Sequence, residues 1–127
     1  MDLLELREYC LALPDTEETT PFDETTLVYK VAGKMFAMTD MVEADWVALK
    51  CDPERAVKLR EQYDEITPAF HMNKRHWNGV KLDGDLPAVF VRQMIRESWL
   101  AVVAGMPRKT REELTKRFID AESVLVR

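Results

Sequence analysis

Apolar and polar positions alternate with changing period along the chain, and each change marks an element. Leu3, Leu6, Cys10 and Leu13 recur at helical spacing. Asp2, with Glu5 three residues on, supplies a capping box at the start, and Pro14 ends the helix. Residues 14–24 read as a polar, acidic connector. Two runs of β-forming residues follow, Leu27 to Val31 and Lys34 to Thr39. Only Ala32 and Gly33 separate them, which predicts a tight hairpin with Gly33 at positive φ. A third short strand, Trp46 to Lys50, comes after a turn at 43–45.

Asp52 followed by Pro53 is a helix start, with the acid at the cap and proline in the first turn. Val57, Leu59 and Tyr63 give that helix part of an apolar face. Residues 66–71 and 77–82 read as two more strands, with a turn at Asp83 and Gly84. Pro87 opens the longest helix, to about Ala104. Its stripe of Val91, Ile95, Trp99 and Val102 is widened by Met94, Ser98 and Val103, and Gly105 is the stop. Thr110 and Glu113 predict a second capping box ahead of a final helix carrying Leu114, Phe118, Ala121 and Leu125. The order α-βββ-α-ββ-α-α, with strands in meanders, indicates an α+β domain with a mostly antiparallel sheet packed by helices.

A length of 127 residues is one domain's worth. Such a chain buries roughly two-thirds of its unfolded surface without help from disulfides or metals, and a hydrophobic fraction of 46% supplies the core. Cys10 and Cys51 form no CxxC pair and read as reduced, partly buried thiols. Asp2, Glu5 and Glu8 stand where a secretory signal needs a basic, then apolar start. No apolar run reaches the roughly 18 residues of a membrane span. A cytoplasmic location with no membrane association is expected. The net charge of −5 argues against a dedicated nucleic-acid binder on average, so the local distribution matters.

That distribution is uneven. Residues 68–82 contain no acidic side chain and hold both histidines, His71 and His76, together with Lys74, Arg75 and Lys81. The run His71, Met72, Asn73, Lys74, His76, Trp77, followed by Leu82-Asp83-Gly84 and Pro87, resembles the signature of the MmcQ/YjbR family. The Met35-Phe36-Ala37-Met38 strand and the Asp52-Pro53-Glu54 helix start match as well. The resemblance covers residues 1–115, and 116–127 reads as a C-terminal helical extension of the same domain. It implies a small domain of CyaY-like or secretion-chaperone-like shape and a double-wing DNA-binding role, with β-hairpins as wings.

Under that role Lys34, Lys74 and Arg75 would hold phosphates, with His71 and His76 beside them. Asn73 would meet a base edge and Trp77 would stack on an unpaired base. The bland alternatives are a solvated basic loop, and a Trp77 that anchors this loop. His71 and His76, five apart, diverge on a strand or a helix, and no thiolate lies near them in sequence, so no metal site is expected. Cys51 with His71 or His76 and Asn73 is a nominal Cys/His/Asn set whose geometry sequence does not give. No G-x-S-x-G, P-loop or G-x-G-x-x-G occurs. The expectation is a non-enzymatic binding domain without a cofactor, with DNA as partner. The alternative is a protein-interaction, self-associating or chaperone-like module using Met35, Met38, Met41 and Met72.

Overall fold

Asp2 accepts a hydrogen bond from the Glu5 N–H at 2.9 Å and so starts α1 (Leu3–Ala12), which sends Leu6 and Cys10 into the core. The structure, a computed structural model, describes residues 1–69 and 72–125. Among these the chain forms six strands and four helices in the order α1, β1 (Thr16–Thr19), β2 (Thr26–Val31), β3 (Lys34–Asp40), β4 (Trp46–Lys50), α2 (Pro53–Gln62), β5 (Ile66–Pro68), β6 (Trp77–Lys81), α3 (Ala88–Ala104) and α4 (Arg108–Leu125). The strands make one antiparallel sheet, β1-β2-β3-β4-β6-β5. The α+β class and the antiparallel sheet agree with the sequence reading.

Four details differ from it. β1 lies inside the segment read as a connector. Its residues, Thr-Glu-Glu-Thr, carry no apolar signal, and pairing with β2 makes them a strand. Glu18 of β1 turns inward, where the Tyr29 hydroxyl donates to it at 2.8 Å and Arg7 of α1 forms a two-pronged ion pair with it. The final helix starts at Arg108, so Thr110 sits within its first turn rather than at a cap; the Pro107 carbonyl accepts from the Arg111 N–H at 2.9 Å instead. In α2 the buried residues are Ala56 and Leu59, while Val57 faces solvent. The strand expected at 66–71 ends at Pro68, with Ala69 beyond it, and positions 70 and 71 lie outside the described residues.

The helices cover one face of the sheet, with α3 against β2, β3 and β4, α2 against β5 and β6, and α4 layered onto α3. The whole predicted stripe of α3 is buried, and Trp99 is its anchor. The Trp99 indole N–H donates to the Pro14 carbonyl at 3.1 Å and its ring stacks on Phe118 of α4, centroids 5.0 Å apart. Through Leu114 and Phe118, α4 contributes to the core.

A bulge in β3 shapes the middle of the sheet. Tyr29 pairs with Ala37 and Lys30 with Met35, which leaves Phe36 as the extra residue. Phe36 and Ala37 both enter the core. The Phe36 carbonyl is met by the Ser98 hydroxyl of α3 at 2.6 Å, and the same hydroxyl accepts from the Lys50 N–H at 2.8 Å. Ser98 thus stands in for a missing rung between β3 and β4, whose pairing is confined to Ala37 with Leu49 and Met38 with Ala48.

Candidate functional site

The strand directions place the β2–β3 turn, the end of β4 and the β5–β6 loop at one end of the sheet. Lys34, Lys74 and Arg75 are therefore brought to the same end, all exposed. Asn73 organises its own loop: its Oδ1 accepts from the Arg75 N–H at 3.0 Å, and its carbonyl accepts from the N–H groups of His76 and Trp77. His76 is half-buried and its carbonyl accepts from the Cys51 N–H at 2.7 Å. Trp77 opens β6 opposite Lys50. Arg75 shares a shallow cleft with Glu54, Lys58, Arg60 and Glu61 of α2, a lining of mixed charge. His71 lies outside the described residues. Burial raises the Cys51 thiol pKa, the opposite of what a thiolate nucleophile needs. Among the described residues no three His, Cys, Asp or Glu side chains gather as a metal site.

The face of the sheet away from the helices holds a second feature. The register aligns Thr19, Val28, Met38, Ala48, Gly79 and Thr67 in one row across it. Ala48 and Gly79 are the small members, and over them opens a groove of about 330 Å³. This is the lower end of the roughly 300–1,000 Å³ range of ligand pockets. Met38 and Trp46 form one wall, Pro68, Ala69 and Met72 the other, and Asp64, Glu65 and Lys81 the polar rim. Gly79 is part of the groove's floor. A Cβ there would sit 3.4 Å from Thr67 Oγ1, at the near edge of ordinary contact, so the backbone has room for a small side chain, which would take up space in the groove.

The two ends of the sheet differ in charge. Loops 20–25, 41–45, 63–65 and 82–86 meet at the end nearer the groove rim, and each carries two acidic residues and no basic one. Two of these loops are tied by carboxylates. Asp23 accepts from the Thr26 and Thr25 N–H groups, and Asp40, at the end of β3, accepts from those of Val42 and Glu43. Backbone hydrogen bonds hold both carboxyls below their usual range.

A family model described as YjbR matches residues 11–101. The chain belongs to the YjbR family. The uncharacterized protein YjbR of Escherichia coli K12 is 36% identical over 117 residues, which are 91% of this chain and 99% of that protein. Protein YyaQ of Bacillus subtilis is 30% identical over 73 residues, 58% of this chain and 61% of its own length. The crystal structure of Deinococcus radiodurans protein DR2400, described as a DUF419 domain, superposes with a TM-score of 0.83 at 40% identity. It covers 91% of this chain and 89% of that one. A Pseudomonas syringae protein superposes with a TM-score of 0.70 at 26% identity, covering 80% and 99%. The YjbR match spans the sheet, the basic loop and most of α3, so groove and loop both lie within the family's shared region, and α4 lies beyond it.

Sequence reasoning named Met38 and Met72 as candidate surface but missed Trp46, Ala48, Gly79, Asp64 and Glu65. One signal pointed there: a glycine inside a strand marks a bulge or a close approach, and Gly79 sits in mid-β6.

Proposed function

We propose that this YjbR-family protein is a non-enzymatic binding domain whose ligand site is the open-face groove. The observation that carries this reading is the Ala48–Gly79 floor beneath Met38, Trp46 and Met72, an apolar concavity on the face that no helix covers among the described residues. Apolar concave sites with a few polar groups at the rim are the usual form of ligand pockets, and methionine walls adapt to differently shaped guests. The test is titration with the uncharged dye N-phenyl-1-naphthylamine. Saturable fluorescence enhancement is expected in the parent protein and is lost in Gly79→Val, with circular dichroism showing the fold retained. Equal enhancement in Gly79→Val overturns the reading.

A second reading is contact with nucleic-acid phosphates at the opposite end of the sheet. It is supported by the shared location of Lys34, Lys74 and Arg75, with Asn73, His76 and Trp77 beside them and His71 adjoining in sequence. Fluorescence anisotropy of labelled single- and double-stranded DNA over a salt series tests it. Binding that weakens with salt and is lost in Lys74→Glu/Arg75→Glu supports it. No binding at low salt and tens of micromolar protein, about the non-specific range, removes it.

A further inference from the structure

Building on the groove reading above, we infer that the groove receives a cationic amphipathic peptide segment, with an apolar side chain over Ala48 and Gly79 and lysine or arginine side chains against Asp64 and Glu65. The rim is where the chemistry is unbalanced. Asp64 is exposed and Glu65 half-buried, and neither has an ion-pair partner among the described residues. Lys81, on the same rim, is within 4.0 Å of Asp83. Gly84 gives Glu65 its place, because a Cβ at Gly84 would come 2.9 Å from Glu65 Cγ. With only hydrogen there, the stem of Glu65 lies against the 83–84 turn, beside the groove.

The surroundings extend the same sign of charge. Each of the four loops at this end carries two carboxylates, including Glu43 and Asp45 after β3 and Asp83 and Asp85 after β6. A field of one sign around a low-dielectric groove concentrates cations. A single amine would be satisfied by one carboxylate, whereas acids spread over four loops suit a chain bearing several cations. Strand addition is not the means of recognition. β5 is the edge strand next to the groove; its Pro68 has no N–H, and the Ile66 N–H already donates to the Tyr63 carbonyl at 3.1 Å. The partner is read by side chains and charge.

Three fluorescein-labelled peptides test this, sharing a Leu-Phe centre and flanked on both sides by two lysines, two serines or two glutamates. The lysine peptide is expected to bind the parent protein at least about tenfold tighter than the glutamate peptide at low salt, with the gap closing as salt screens it. In Asp64→Lys/Glu65→Lys the preference should reverse, and in Gly79→Val all binding should be lost. Equal affinity of the three peptides, with loss in Gly79→Val, overturns the cationic specificity and leaves the groove reading standing. Binding undiminished in Gly79→Val, or no binding of any peptide to the parent protein at millimolar concentration, overturns the peptide site; the dye titration then decides the groove reading separately.

Discussion

Arg60 of α2 places its Nε 2.6 Å from Oδ1 of Asn78 in β6, and the same guanidinium donates to the Lys74 carbonyl. Asn78 is itself buried and donates to the Ala56 carbonyl at 3.4 Å. One arginine thus couples a helix, a strand and the basic loop. Asn78→Ala removes the acceptor and strands a charged donor, which should cost about 1–3 kcal/mol. Urea denaturation measures the loss, and Asn78→Asp should recover much of it by keeping an acceptor for Arg60.

Ser98 offers a second test of buried polar accounting. Ser98→Ala leaves the Phe36 carbonyl and the Lys50 N–H without their hydroxyl partner. A loss of about 1–3 kcal/mol is expected, read as a lowered denaturation midpoint. An unchanged midpoint would mean that the strands close over the gap by themselves.

The β2–β3 turn carries strain that can be relieved. Ala32 has φ +47° and Gly33 φ +80°, the pair of positive values a type I′ turn requires. Alanine is poorly suited to the left-handed region, which costs it roughly 1–2 kcal/mol, whereas asparagine is favoured there. Ala32→Asn should raise stability by about 0.5–1 kcal/mol and the thermal midpoint with it.

Gly79 poses the opposite balance. Glycine in a strand interior forfeits about 0.5–1 kcal/mol relative to alanine. A Cβ there would be in van der Waals contact with Thr67 without a clash. Gly79→Ala should therefore melt at the same temperature or higher while the groove becomes shallower and dye affinity falls. A sharp loss of stability would instead make Gly79 a structural requirement.

The acid limb of stability follows from Asp23 and Asp40. Both carboxyls lie below their ordinary value of 3.8 in the folded state because backbone N–H groups bind the charged form. A depressed folded pKa contributes stability that is present above the unfolded value and is lost as pH falls through the folded one. The thermal midpoint should accordingly decline as pH drops below about 4, and Asp23→Asn/Asp40→Asn should flatten that decline. A midpoint in the double variant that falls just as steeply rules these two groups out as its source.

Much of the architecture was legible because its signals are local. Asp2 and Asp52 cap the helices they precede, and the α3 stripe from Val91 to Val103 is buried as its period predicts. What was hidden depends on partners distant in sequence. β1 has no hydrophobic pattern and is a strand through β2 and the Glu18 contacts with Arg7 and Tyr29. Ser98 looked like a minor member of an apolar stripe, since its role exists only once β3 bulges at Phe36. The basic loop was conspicuous in sequence, yet Asn73 spends its acceptor on its own turn. The groove was the least visible feature, because Ala48, Gly79 and Met38 become neighbours only through strand register.

The short β3–β4 pairing makes the sheet behave as two blades joined at a seam. Thr39 closes one side of the seam, its hydroxyl donating to the Trp46 carbonyl at 2.5 Å, and Ser98 closes the other. The groove straddles this line, with Met38 on one blade and Ala48 and Gly79 on the other. A guest seated there is a clasp across the shortest strand pairing of the sheet, and its arrival should be recorded as slower amide exchange at Met38 and Ala48.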